Sequence, residues 1–167
     1  MRYAQIRKYD TANGLGIRTS IFFTGCTFNC KGCFNKLYQD FNYGEIFDNK
    51  AMELLIEYLN DENVAGLTIL GGEPLQQDPK EMKNFLRYVR HKLRDNQNIW
   101  IYSGNTFEKI LENRILLDLI KECDVLVDGL FEQDKKNLRL KFRGSSNQRI
   151  IDIKKSLEKK EVILYLD

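Results

Sequence analysis

Three cysteines fall within eight residues, Cys26-Thr27-Phe28-Asn29-Cys30-Lys31-Gly32-Cys33, with three residues between the first pair and two between the second. Thiolate sulfur is a soft ligand suited to iron–sulfur clusters and zinc. A cluster held wholly by protein usually takes four cysteines. The only other cysteine, Cys123, lies far downstream in a different setting. A cubane on Cys26, Cys30 and Cys33 would leave one iron without a protein ligand, open to a substrate or cofactor. Two other readings compete. A Cys3His zinc site needs a fourth ligand, and the single histidine, His91, sits in a charged helical stretch. A disulfide would leave an odd thiol over and suits an oxidising compartment, which nothing else here suggests. The expected state is a reduced loop, residues 26–33, carrying a [4Fe–4S] cluster.

Further residues with chemical potential follow apolar runs. Gly71-Gly72-Glu73-Pro74 comes directly after Gly66-Leu67-Thr68-Ile69-Leu70. Two glycines there make a turn, and they also permit a ligand to approach the backbone closely. Ser103 and Gly104 end a third run, and Asp128 ends a fourth, where it could equally be a helix cap or a solvated terminus. Phe142-Arg143-Gly144-Ser145-Ser146-Asn147-Gln148-Arg149 reads physically as a polar loop. Arg18, Arg143 and Arg149 are available for a carboxylate or a partner surface. Cys123, among apolar neighbours, reads as a buried structural cysteine, and His91 as a solvated helix residue.

The elements that must position these residues alternate. Ile17 to Thr24 predicts a strand ended by Gly25, so the cysteine loop follows a strand's C-terminal end. Ligand sites of α/β sheets gather at that edge. Tyr3 to Asp10 is a short strand or an arm, and Asn13 to Gly16 a turn. A helix is expected over Lys50 to Leu59, capped by Asp48 or Asn49, then a strand over 66–70 and a helix over Pro79 to Arg94. Asn98 to Ser103 is a strand, Thr106 caps a helix to about Cys123, and Val125 to Val127 is a strand. Ile150 to Leu157 predicts a short helix or turn, and Val162 to Leu166 a last strand. Alternation of this kind implies parallel βαβ units. An eight-fold barrel needs about 250 residues, so 167 residues predict an open, partial (β/α) barrel with a mostly parallel sheet, forming one domain over 1–167.

Bulk properties exclude other classes. Lys+Arg 26 against Asp+Glu 24 gives a net charge of +2, no broad footprint for nucleic acid or an anionic membrane. No apolar run approaches the roughly 18–20 residues that span a bilayer, and the first residues lack a signal peptide's apolar core. A cytoplasmic setting with reduced thiols is expected.

The cysteine spacing resembles the cluster loop of radical S-adenosylmethionine enzymes, whose cubane leaves its fourth iron to that cofactor. There the residue before the third cysteine is commonly aromatic; here it is Gly32, and the aromatic follows as Phe34. Gly32-Cys33-Phe34-Asn35 resembles one subgroup, the activating proteins of anaerobic ribonucleoside-triphosphate reductase. Gly71 to Pro74 is similar to the superfamily's Gly-Gly-Glu-Pro motif, which contacts the amino and carboxylate ends of the cofactor's methionine. The match implies Gly72 against the cofactor and Glu73 accepting from its ammonium, with Gly32, Cys33, Phe34, Gly71 and Ser103 nearby and Asp128 holding the cofactor or a cation. The subgroup reads Trp-x-Tyr-Thr-Gly-Tyr where this chain has Ser103 for threonine and Asn105 for the last tyrosine, and Leu15 stands where proline is usual. Phe142 to Arg149 matches the subgroup closely, and the matches run from Tyr9 through Arg149.

The resemblance implies an enzyme that cleaves S-adenosylmethionine reductively at a [4Fe–4S] cluster and places a glycyl radical on the large subunit of the reductase. A flavodoxin- or ferredoxin-like protein would supply the electron, and the enzyme would form an oligomer with the reductase. The alternatives are an activase of formate lyase, a small-molecule radical enzyme, an iron–sulfur electron carrier and a zinc-stabilised interaction module.

Overall fold

A computed structural model describes all of residues 1–167. Eight strands form one sheet in the order β3-β1-β2-β4-β5-β6-β7-β8, comprising β1 (Arg2–Asp10), β2 (Ile17–Phe23), β3 (Glu45–Ile46), β4 (Val64–Gly71), β5 (Asn98–Ser103), β6 (Val125–Asp128), β7 (Arg149–Asp152) and β8 (Leu164–Leu166). The four central strands β2, β4, β5 and β6 run parallel. Their connections carry α1 (Asn49–Leu59), α2 (Pro79–Lys92) and the pair α3 (Phe107–Leu111) and α4 (Arg114–Ile120). α5 (Ile153–Lys159) lies between β7 and β8.

The sheet is mixed rather than mostly parallel. Both flanks are antiparallel, β1 on β2 and β3 on one side, β7 on β6 and β8 on the other. The reason at the first flank is connection length. Only residues 11–16 join β1 to β2, enough for a hairpin, whereas a parallel crossover needs a dozen or more. Two expected elements also change. The single helix from Thr106 to about Cys123 is broken at Glu112–Asn113, because Asn113 Oδ1 accepts from the Ile115 and Leu116 N–H groups and starts a second helix. Residues 149–152 are a strand rather than a helix or turn. Its Ile150 and Ile151 are β-branched, buried and paired with β6. Helix starts elsewhere follow the expected caps, Asp48 accepting from Ala51 N–H and Thr106 from Lys109 N–H.

The two faces of the sheet differ. Ile21, Phe23, Leu67, Ile69, Ile99, Ile101, Leu126 and Ile151 join residues of all five helices in the main core. The alternate residues face the other way, Trp100, Val125, Val127 and Ile150 forming a small second cluster. Arg18 is fully buried in this region, contrary to its expected place at a carboxylate or partner surface. Its Nε donates to Thr68 Oγ1 (2.6 Å), and Nη2 to the carbonyls of Leu67 (2.7 Å) and Asn98 (3.0 Å), tying β2 to β4 and β5. Its guanidinium also lies 5.3 Å from the Trp100 ring centre. Desolvation lowers its pKa to about 10, so it stays charged at neutral pH. No helix is long and apolar enough to cross a membrane.

Removing Arg18 leaves buried acceptors unpaired and opens a cavity, costs that together reach about 3 kcal/mol or more. Arg18→Ala is therefore expected to lower stability by that amount in urea unfolding, whereas Arg139→Ala, on the surface, should move it by less than about 0.5 kcal/mol. Equal small effects would show that Arg18 does not bear on the sheet.

Candidate active site

The C-terminal ends of the parallel strands lie along one edge, with Phe23 in register with Gly71 and Ser103 with Asp128. A cavity of about 520 Å³ opens there, within the range of small-molecule sites. Cys26, Cys30 and Cys33 line it together with Gly71, Gly72, Glu73, Ser103, Gly104 and Phe34. All three cysteines are free thiols and partly buried. Burial pushes the Cys26 and Cys30 thiols up from their ordinary values, a cost that a bound metal removes by favouring thiolate.

No three His, Cys, Asp or Glu side chains converge on a point that one metal ion would occupy. A cubane asks for a different arrangement, since each thiolate takes a separate iron and the ligands need only face one hollow. Three soft donors on one cavity wall, with Cys123 buried in the main core and His91 exposed on α2, fit such a cluster with one iron left open.

Hydrogen bonds join the cysteine loop to the glycine turn. Gly72 N–H donates to Phe23 O (2.8 Å), and Glu73 N–H to Gly25 O (2.9 Å). On its other side the loop closes on itself, Gly25 N–H donating to Tyr38 O (2.8 Å) and Cys26 N–H to Gln39 O (3.0 Å). Asn35 Nδ2 donates to Gly71 O (3.2 Å), Gln76 exchanges bonds with Thr27, and Gln77 Nε2 donates to Thr24 O. Sequence reasoning missed Gln76 and Gln77, whose only signal was their place just after the glycine turn.

The glycine turn is tighter than ligand approach alone would require. A Cβ on Gly72 would lie 2.6 Å from Tyr38 O and 2.7 Å from Gly25 O, both backbone atoms at the foot of the cysteine loop. Its missing side chain therefore makes room for that loop. Glu73 is buried at 1% exposure, its Oε2 accepting from Gly104 N–H (2.7 Å) and Oε1 from Leu75 N–H (3.0 Å). Burial pushes its pKa up to about 7, against the opposing pull of those donors and Ser103. An ammonium brought into this wall would favour the carboxylate.

Two implied contacts lie elsewhere. Asp128 does not line the cavity. Its Oδ2 accepts from Phe107 N–H (2.7 Å) at the start of α3, and both oxygens accept from Arg149. Arg149 also donates to both oxygens of Glu108, holding that carboxyl down to about 2. Gly32 is likewise outside the lining; a Cβ there would meet Gln133. Arg143 does line the cavity, donating through Nη1 to Gln148 O. Gln148 organises the loop from Gly144 to Arg149: its Oε1 accepts from the Gly144 and Ser145 N–H groups and its Nε2 donates to Gly129 O.

Single Cys26→Ala, Cys30→Ala and Cys33→Ala variants are expected to lose the iron–sulfur absorbance after anaerobic reconstitution, while Cys123→Ala retains it. Loss only in Cys123→Ala would reassign the ligands. Gly72→Ala must displace the loop backbone, so it should lower both reconstituted iron content and stability, the latter by about 1–3 kcal/mol. Normal iron and stability with lost cofactor binding would instead place the glycine's requirement in the cofactor contact.

Comparison with known proteins points the same way. The family model described as "4Fe-4S single cluster domain" matches residues 12–151. Anaerobic ribonucleoside-triphosphate reductase-activating protein of Pasteurella multocida is 36% identical over 153 residues, covering 90% of this chain and 96% of that protein. Proteins of the same name from Enterobacteria phage T4 and Escherichia coli K12 are each 34% identical, across 93% and 96% of their lengths. Given a three-thiol cavity built at the strand ends and this breadth of similarity, the chain belongs to the family of anaerobic ribonucleoside-triphosphate reductase-activating proteins.

Proposed function

We propose that this chain is the activating enzyme of an anaerobic ribonucleoside-triphosphate reductase, and that Cys26, Cys30 and Cys33 hold its cluster. A [4Fe–4S] cluster held by Cys26, Cys30 and Cys33 would supply the electron for reductive cleavage of S-adenosylmethionine, the chemistry by which a glycyl radical would be placed on the reductase. The cofactors carry this chemistry, and the chain binds, orients and shields them. The observation that carries the reading is that the three cysteines and Gly71, Gly72 and Glu73 line a single cavity, with the backbones of their two segments hydrogen-bonded at the base.

The residues divide the work by position. The cysteine loop presents three sulfurs and leaves room for a non-protein ligand. Gly71, Gly72 and Glu73, with Ser103 on the neighbouring strand end, form the wall suited to the cofactor's methionine end. Phe34 lies beside Phe131, ring centres 4.9 Å apart, and adds an apolar boundary that helps exclude water. Asp128, saturated by Arg149 and Phe107 N–H, acts as a brace for the strand end. We read the whole chain, residues 1–167, as one domain of open, partial-barrel type. Its parallel centre and cavity-bearing face support that reading. A flavodoxin- or ferredoxin-like protein supplies the electron in the cytoplasm, and the enzyme acts in an oligomer with the reductase.

The test is anaerobic and uses electron paramagnetic resonance. Reconstituted enzyme, S-adenosylmethionine, a reductant and purified reductase should together give a glycyl-radical signal, absent when any one is omitted or when the reductase's radical glycine is replaced by alanine. Activation of formate lyase in its place, or consumption of a small molecule with neither protein present, would refute the assigned substrate.

A further inference from the structure

The segment Lys135–Ser146 projects beside the cavity as a loop with a narrow neck. Ser146 N–H donates to Lys135 O (3.0 Å), Asn137 N–H donates to Gly144 O (3.2 Å), and Lys136 is bridged antiparallel to Ser145. Beyond the neck the side chains alternate. Leu138, Leu140 and Phe142 line the cavity, while Arg139 and Lys141 between them are exposed. Leu138 is 80% exposed, more than any other large apolar side chain of the protein. The Lys136 ammonium lies 5.0 Å from the centre of the Phe34 ring, which places the loop beside the cysteine loop and its exposed Lys31.

These cations lack carboxylate partners. Lys135 pairs with Glu132 at 2.7 Å, but no carboxylate lies within 4.0 Å of Lys31, Lys136, Arg139 or Lys141. Helix cations are of both kinds: Lys83, Arg87 and Arg90 pair with Asp118, Glu122 and Asp124, while Lys50, Lys80, Lys92 and Arg114 have no carboxylate within 4.0 Å. What sets Lys31, Lys136, Arg139 and Lys141 apart is position, since all four are exposed on the two loops that border one opening. Such a rim raises the encounter rate with an acidic surface and penalises a basic one.

Resting on the function proposed above, we propose that this loop is the docking lip for the protein substrate. That protein meets it with acidic side chains flanking its reactive glycine and covers Leu138 with an apolar hollow. The occupant follows from continuity. A segment that delivers a glycine into the cavity enters at an opening where Leu138 is the most exposed apolar side chain, continuous with Leu140 and Phe142 on the cavity wall. An electron donor need only approach the outer side of the cysteine loop.

The double variant Arg139→Glu/Lys141→Glu tests this, since neither residue lines the cavity. With dithionite as reductant and no reductase present, its S-adenosylmethionine cleavage should stay within about twofold of wild type. The initial rate of glycyl-radical formation on purified reductase should fall by at least about tenfold, the Kd for the reductase should rise similarly, and the rate should lose most of its dependence on sodium chloride. Wild-type affinity and radical formation in the variant would overturn the proposal. So would an equal loss of uncoupled cleavage, which would assign the loop to the cofactor site. A defect seen only when a flavodoxin replaces dithionite would overturn it in favour of donor docking. If wild-type enzyme itself forms no radical on the reductase, the functional reading fails, an outcome separate from all of these.

Discussion

The backbone at Gly25 and Cys26 is held from two sides, and the geometry of the site depends on that clasp. Tyr38 and Gln39 accept its two N–H groups, and the Glu73 N–H takes the Gly25 carbonyl. Backbone groups withdrawn from water must be paired, so the end of β2, the far end of the cysteine loop and the turn after β4 have to meet. The entropy of closing a loop rises only slowly with its length. A few bonds at the base can therefore hold a long irregular segment in place. Gly72 belongs to this contact, because the two carbonyls a Cβ would strike are those of Gly25 and Tyr38.

Two buried carboxylates extend the same logic across the sheet. Glu73 reaches from the end of β4 to the Gly104 N–H at the end of β5, and Asp128 reaches from the end of β6 to the Phe107 N–H that opens α3. Each meets a donor that a chain leaving a strand would otherwise leave unsatisfied. They differ in how charge is balanced. Asp128 has Arg149, itself fixed by Glu108, whereas Glu73 has only N–H and hydroxyl donors, and burial raises its pKa to about 7. A carboxylate held by donors but lacking a cation, on the wall of a cavity, is disposed to receive one. Asp128, already neutralised, is not.

What the sequence disclosed, and what it hid, follow from the range of the forces involved. Strands β2, β4, β5 and β6 were legible because each is a short apolar run ended by a glycine or a polar residue, signals carried within a few positions. The cysteine loop and the glycine turn were legible from spacing. The antiparallel flanks were not, because direction depends on what a segment pairs with, and in residues 149–152 the two β-branched isoleucines are too short a run to separate a strand from a helix start. Arg18 shows the same limit. An arginine in a strand reads as a surface cation, and it is chiefly acceptors 49, 50 and 80 residues away, on Leu67, Thr68 and Asn98, that make a buried site for it. The break at Asn113 was a local signal that the apolar periodicity around it obscured.

Separating the two faces of the sheet reconciles stability with access. The helices bury a continuous core of 22 residues against one face, and that core contains none of the three loop cysteines. On the other face the sheet supplies Arg7, Phe22, Leu70, Gly71, Tyr102 and Ser103 to the cavity, whose remaining walls are loops. Stabilisation from apolar burial scales with area removed from water, so a large one-sided core can support the fold while the opposite side stays open. A closed barrel would bury both faces and leave entry only at its ends. The arrangement seen here keeps a broad opening bordered by Phe34, Leu130 and Leu138, all exposed. Exposed apolar groups grouped at an opening are a feature of interaction sites. Water exclusion then falls to whatever covers that opening, which suits a reaction whose substrate is another protein and whose radical must not form before that protein is in place.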